Sequence, residues 1–326
     1  MRPELFRIPW LNMPIYGYGV MLVIGFLLAV QLAKYLARTI KIDPELFVNA
    51  GLIALVAGVA GARLSHVIEN WPQYSDPHRT FWANFFDAVN IRSGGLTFYG
   101  GLILAFPIVI AYGLMKKVPI RRGMDVVAPC IMIGLGLGRV GCFLNGCCYG
   151  AEVNRNFPLA VTYPYHSNAY VEQYHAGEIK APDELTYPLP GQAKPILIDP
   201  ADVKKDAELS ALASAERSLP VHPAQLYSTF TALLVAGILV SYFSLQPAPG
   251  RVMALMLMLE GISRFLLEIL RSEPPVVQLF GHGWSFSMVL SAFLFAAGVI
   301  LWFAFGHFAR PADEHPTPLT GGAVPA

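Results

Sequence analysis

The chain has 326 residues, of which 55% are hydrophobic and 14% charged, and its mean hydropathy is +0.49. These proportions exclude an ordinary soluble globular domain, and a net charge of +1 gives no reason to expect a nucleic-acid partner. They point to an all-α polytopic membrane protein.

A run of about 20 apolar residues is needed to cross the hydrocarbon layer. Seven such runs follow in chain order: 15–37, 47–68, 96–115, 125–149, 224–243, 251–271 and 284–307. Seven transmembrane helices place the termini on opposite sides. Lys34, Arg38 and Lys41 follow the first run, Lys116, Lys117, Arg121 and Arg122 the third, Arg251 opens the sixth and Arg310 follows the seventh. The positive-inside rule assigns these segments to the cytoplasm and the N-terminus to the outer face. The expected organisation is therefore helices one to four over 1–150, an outer-face loop domain over 151–221, helices five to seven over 222–309, and a disordered cytoplasmic tail over 310–326.

Residues 1–14 hold Pro3, Pro9 and Pro14 and lack the layout of a removable signal peptide, so the first run is expected to remain as an anchor. The stretch 151–221 reads as the one sizeable extramembrane segment; it has ten acidic and six basic residues, with a short helix expected over 200–218. Four cysteines, Cys130, Cys142, Cys147 and Cys148, lie in or at the outer end of run four. Their C-x4-C-C spacing is no zinc pattern and no metal is assigned; they read as small packing thiols, with a disulfide on the oxidising side as the alternative although neighbours on one helix seldom have the geometry for it. Gly134, Gly136 and Gly138 follow no strand; with Ala57 and Gly61 they suit close helix packing in lipid.

Charges embedded in the apolar runs carry the functional signal. An ionised side chain near the bilayer centre costs about 2.5–3.5 kcal/mol, so it persists where it faces a cavity, a partner or a charged ligand. Arg139 lies within run four. In run six, Glu260, Arg264, Glu268 and Arg271 fall within about 80° of one another at helical spacing and form one stripe. With the orientation above, Arg63, Arg139, Arg264 and Arg271 all belong to the outer halves of their runs. Tyr16, Tyr18, Tyr99, His222, Gln225 and Tyr227 lie near the same level. Guanidinium groups converging at headgroup depth suit a phosphate, because their fork of donors is fixed and permanently charged. For Arg63 snorkelling is a rival reading, and for the tyrosines an interfacial belt.

Six blocks sharpen this reading: Tyr18-Gly19-Val20-Met21, Gly61-Ala62-Arg63, Gly94 through Gly101, Gly138 through Gly146, His222 through Tyr227, and Arg264 through Arg271. In this order they resemble the bacterial prolipoprotein diacylglyceryl transferase family. The resemblance implies a multi-pass protein of the bacterial inner membrane that needs no cofactor. Its partners would be membrane lipids, with phosphatidylglycerol as donor, and the signal peptides of preprolipoproteins. The diacylglyceryl group would pass to the lipobox cysteine, forming a thioether and releasing glycerol phosphate. Carried over residue by residue, Arg139 and Arg264 stabilise the phosphate and Tyr99 is the third catalytic candidate. Tyr18, Arg63, Asn145, Gly146, His222, Gln225, Tyr227, Glu268 and Arg271 are expected to bind or orient substrate. The chain departs from the family pattern at Tyr99, where histidine is common, at Cys142 and Cys147, where asparagine and glutamate are common, and at Ser228, where an acidic residue is expected. His222 is a substitute candidate for the base. A divergent or inactive relative with another acceptor, and a transporter or binder of an anionic solute, are the alternative readings.

Overall fold

The computed structural model describes residues 4–8, 13–75, 79–91, 94–188, 194–271, 277–279 and 282–307. Every one of the seven apolar runs is a helix: α1 Gly17–Thr39, α2 Pro44–Glu69, α5 Phe98–Met115, α6 Ile120–Asn145, α10 Ala224–Ser244, α11 Arg251–Ile269 and α12 Phe286–His307. Five of them, α1, α2, α6, α10 and α12, are long and apolar enough to cross a membrane. Helix α5 is apolar but shorter, and α11 carries its four charges. Many of their large side chains point outward, Ile103 at 73%, Phe293 at 68% and Phe303 at 70% exposure, a surface that lipid rather than water would cover. The tail 310–326 and Arg310 lie outside the described residues.

The chain divides into two compact units. One comprises residues 1–29, 128–247 and 251–304, and the other 30–127, 248–250 and 305–326.

In the second of these, α2 begins at Asp43, whose side chain accepts from the Glu45 amide, with Pro44 in the first turn. Its tightest partner is α5. A Cβ on Gly61 would come within 2.5 Å of the Gly100 carbonyl oxygen, and one on Gly101 within 2.8 Å of the Gly58 carbonyl. Glycine at both faces lets the two backbones touch, the small-residue contact expected of helices in lipid. Asp125 is fully buried and accepts from the Gly250 amide at 2.7 Å, fixing the 248–250 segment. Between α2 and α5 the chain forms two short helices, α3 Trp71–Tyr74 and α4 Phe81–Val89. Neither helix was among the expected elements. The aromatic rings of α4 contact one another, with Phe81, Trp82 and Phe86 each more than 60% exposed.

In the other unit, α11 packs on α10 and on α12. A Cβ on Gly261 would meet the Ser291 carbonyl at 2.8 Å, and one on Gly298 the Ala254 carbonyl at 2.9 Å. The described residues between α6 and α10 form short elements. Bridges from Glu152 and Val161 to Val221 and from Pro164 to Arg217 tie the ends of this stretch together, and a two-stranded pair joins β1 Thr186–Tyr187 to β2 Ile196–Leu197. Its core holds Tyr163, Ala169 and Val221, with a second cluster of Tyr170, Tyr174 and Leu197. Helix α7, Asn168–Ala176, runs from a Ser167 cap to Gly177 and had no counterpart among the expected elements. The helix expected over 200–218 is two pieces, α8 Pro200–Val203 and α9 Ala207–Ala215. Asp206 caps the second by accepting from the Glu208 and Leu209 amides, which starts a new helix rather than continuing the old one.

Candidate functional site

One open cleft is lined by Arg139 of α6, by Cys148, by Ala224 and Ser228 of α10, by Arg264, Leu267 and Glu268 of α11, and by Arg271. Three of the four charges in the stripe expected on α11, Arg264, Glu268 and Arg271, therefore face a cavity that Arg139 shares, while Glu260 is not among its lining residues. The helix ends at Ile269, and the Arg271 amide turns back to the Glu268 carbonyl at 3.0 Å, which keeps Arg271 on the same side.

Glu268 organises this wall. It is 1% exposed, it accepts from the Ser285 hydroxyl at 2.9 Å, and its second oxygen stands 3.9 Å from an Arg271 guanidinium nitrogen. Arg264 reaches the Ser287 hydroxyl at 3.4 Å. The ladder expected along α11 thus closes as an ion pair at Glu268 and Arg271, while Arg264 turns to a neutral partner. Three guanidiniums against one carboxylate leave the cleft lining with a surplus of positive charge. In a site of low dielectric, such a surplus calls for an anion.

The remaining candidates in this unit shape the surroundings of the cleft. Gln225 is fully buried; its amide donates to the Cys147 carbonyl at 2.7 Å and to the Tyr163 hydroxyl at 2.9 Å. Burial pushes that tyrosine up to about 12, so it stays a neutral hydroxyl at any working pH. His222 lies 3.4 Å from the Tyr227 hydroxyl, with its ring edge-on to Phe157 at 4.9 Å. Both contacts fix the imidazole in place. A Cβ on Gly141 would sit 3.0 Å from the Tyr18 ring, so this glycine admits α1 against α6 at the tyrosine. Asn145 is the last residue of α6, and Gly146 after it takes a left-handed φ of +73° against Tyr163 and Ser167.

Arg63 and Tyr99 belong to the second unit. Arg63 is 5% exposed, and its nitrogens donate to the carbonyls of Ala88 at 2.7 Å, Asp87 at 2.7 Å, Gly94 at 2.7 Å and Gly95 at 3.2 Å, with the Tyr74 ring 5.2 Å below. Its guanidinium is the centre around which the α4 to α5 connection wraps. Tyr99, the second residue of α5, is half exposed. Near the start of α5, Thr97 donates to Glu69 at 3.2 Å, and Ser65 donates to the same carboxylate at 2.9 Å. Glu69 escaped the sequence reading because it sits at the end of an apolar run, where a carboxylate is unremarkable.

Cys148 and Ser228 line the cleft, although the sequence singled them out only as a packing thiol and as a departure from a pattern. The sulfurs of Cys142, Cys147 and Cys148 all lie within 4.8 Å of one another, close enough to share a metal ion. The signal in the sequence was the vicinal pair following a glycine, since spacing alone does not show that the chain doubles back there.

The sequence profile of the family described as prolipoprotein diacylglyceryl transferase matches residues 3–304. Among curated relatives, the phosphatidylglycerol–prolipoprotein diacylglyceryl transferase of Buchnera aphidicola is 28% identical over 88% of this chain and 90% of its own length. The protein of the same name from Corynebacterium glutamicum is 28% identical over 96% of this chain and 86% of its own length. That of Rhodopirellula baltica is 34% identical over 50% of this chain and 32% of its own.

Proposed function

The chain belongs to the prolipoprotein diacylglyceryl transferase family, and from that premise we propose that it moves the diacylglyceryl group of phosphatidylglycerol onto the lipobox cysteine of a preprolipoprotein. The acceptor sulfur bonds to the glyceryl carbon that carries the phosphate. The bond from that carbon to the phosphate oxygen breaks, and glycerol phosphate departs with the electron pair. The thiol proton is lost, since the thiolate is the nucleophile and a free cysteine has a pKa of about 8.5.

The observation that carries this reading is the cleft where Arg139, Arg264 and Arg271 stand against Glu268. The developing charge is on the leaving phosphate, and preorganised guanidiniums placed at that charge are the kind of electrostatic stabilisation that usually dominates catalysis. Arg139 and Arg264 clamp the phosphate, while Glu268 holds Arg271 in line. Ser228 stands in the cleft where the family pattern leads one to expect a carboxylate, so this chain keeps more of the positive surplus for its ligand. Tyr18, Asn145, Gly146, Gln225, His222 and Tyr227 shape the surroundings of the headgroup. In the second unit, Arg63 acts as a positioning residue, since its donors are spent on backbone carbonyls, and Tyr99 is retained as the third catalytic candidate on the family resemblance alone.

Seven crossings, an outer N-terminus, an outward head at 151–221 and a cytoplasmic C-terminus in the inner membrane complete the proposal. Its support is the asymmetry of Lys and Arg between alternate loops. The test is release of glycerol phosphate from phosphatidylglycerol vesicles by the purified chain. Release that requires a lipobox peptide with its cysteine is the expected result. Release that is equal with the serine form of the peptide would show hydrolysis rather than transfer.

A further inference from the structure

Three thiols meet at the edge of the arginine cleft. Cys142 lies in the last turn of α6, and the chain reverses immediately after it, with Gly146 at φ +73° and Cys148 at φ +59°. The Cys147 amide returns to the Cys142 carbonyl at 3.1 Å, and the three sulfurs come within 4.8 Å of one another. In a tetrahedral thiolate site with metal–sulfur bonds of about 2.3 Å, the sulfurs stand about 3.8 Å apart, within the reach of small rotamer adjustments. By contrast, Cys130 sits in the middle of α6 in ordinary helical backbone.

The reversal is held from several directions. Gln225 donates to the Cys147 carbonyl at 2.7 Å, the Gly150 amide to His222 at 2.9 Å, and the Ala151 amide to Leu270 at 2.8 Å. A left-handed φ on a residue with a Cβ costs about 1–2 kcal/mol and persists only where the surroundings enforce it, a condition that gathers at functional sites.

Charge supplies an independent argument. Cys148 lines the cleft together with three arginines and the single carboxylate of Glu268. A divalent cation on three thiolates carries one net negative charge, so it would be stabilised beside that positive surplus. Three protein ligands and an open fourth position are the arrangement of a catalytic rather than a structural zinc.

We propose that Cys142, Cys147 and Cys148 hold one thiophilic divalent cation, Zn2+ by ligand preference, with its fourth position open toward the cleft. The identity of the fourth ligand rests on the transferase reading: it is the acceptor cysteine of the lipobox peptide. That thiol loses its proton to solvent on binding and presents a metal-held thiolate, the nucleophile that transfer requires. A thiol activated in this way needs no separate general base, in a chain with Tyr99 where the family commonly has histidine.

The test uses the full chain, purified in detergent under reducing conditions, with zinc measured by elemental analysis and a parallel preparation loaded with Co2+. Stoichiometric zinc that survives in Cys130→Ser and is lost in Cys142→Ser and Cys148→Ser, with thiolate-to-cobalt charge-transfer absorption in the wild type, is expected. Because a serine variant can fail to fold, the cobalt spectrum of the wild type decides independently. A wild-type chain that takes up neither metal while its three thiols react with maleimide would overturn the site, as would an unreduced chain lighter by two hydrogens from a disulfide within the cluster. A lipobox peptide, but not its serine form, is expected to shift the cobalt bands; unchanged bands would overturn the thiol assignment. Thioether formation is followed separately: a band shift without any adduct would defeat the transferase reading and leave the metal site standing.

Discussion

Arg264 shows what a buried guanidinium supplies that another cation cannot. It lies on the wall of the cleft with one nitrogen on Ser287 and Glu268 one turn further along, so the rest of its fork is available to a bound oxyanion. Lysine would keep the charge and lose the planar fork. Arg264→Lys is therefore expected to lower kcat by about 100-fold with the protein still folded, as read by transfer rate and thermal melting in detergent; a rate within a few-fold of wild type would remove the fork from the mechanism. Tyr99 is a different kind of residue, half exposed and replacing a histidine of the family pattern. If its hydroxyl hydrogen-bonds a charged headgroup, Tyr99→Phe costs about tenfold in kcat. A wild-type rate would exclude the hydroxyl and direct attention to His222 and to the cysteine cluster. The arginines were legible in the sequence because charge in an apolar run is expensive, whereas Cys148 and Ser228 were not: neither residue type costs enough in lipid to mark itself.

At the scale of elements, all seven apolar runs are helices, and for the five that are long and apolar enough to cross a membrane the reason is that a chain that leaves water must satisfy its backbone hydrogen bonds within the segment. Gly61 of α2 was legible as a packing residue, because small residues four apart in an apolar helix mark a close neighbour, whereas its partners Gly100 and Gly101 on α5 stood out only as part of a block. Gly61→Leu should therefore destabilise the protein by about 3 kcal/mol, since its side chain would enter the Gly100 carbonyl at the closest point between the helices. Thermal melting in detergent checks this, and an unchanged melting temperature would show that the two helices can part without cost. The short elements were much less visible. Helices α4, α7 and α9 have 9 residues each, too few for a periodicity to emerge, and α8 has 4. The break between α8 and α9 is set by the Asp206 cap, a local competition that composition over the window 200–218 conceals. The turn that gathers the three cysteines depends on two left-handed residues, one of them a cysteine whose type gives no hint of that conformation.

For the whole molecule, the sequence conveyed the class, a multi-pass helical membrane protein of this family, through hydropathy and an ordered set of blocks. The division into two compact units was not legible, because each unit gathers distant stretches of chain and nothing in the linear pattern marks the exchange at Ala29 or Ala128. Topology follows from charge asymmetry alone, and it makes a whole-molecule prediction. A phosphatase reporter inserted near residue 190 in the head should be active, as should a fluorescent protein at the C-terminus; the reverse pattern would invert the orientation and place the head in the cytoplasm.

The measurement that bears most directly on the arginine cleft is mass spectrometry of a lipobox peptide after incubation with the purified chain and phosphatidylglycerol. The account predicts a diacylglyceryl thioether on the peptide cysteine with wild-type protein, and none with Arg139→Ala protein that is folded and still inserts in the membrane. An adduct formed equally by both would contradict the claim that these arginines hold the departing phosphate.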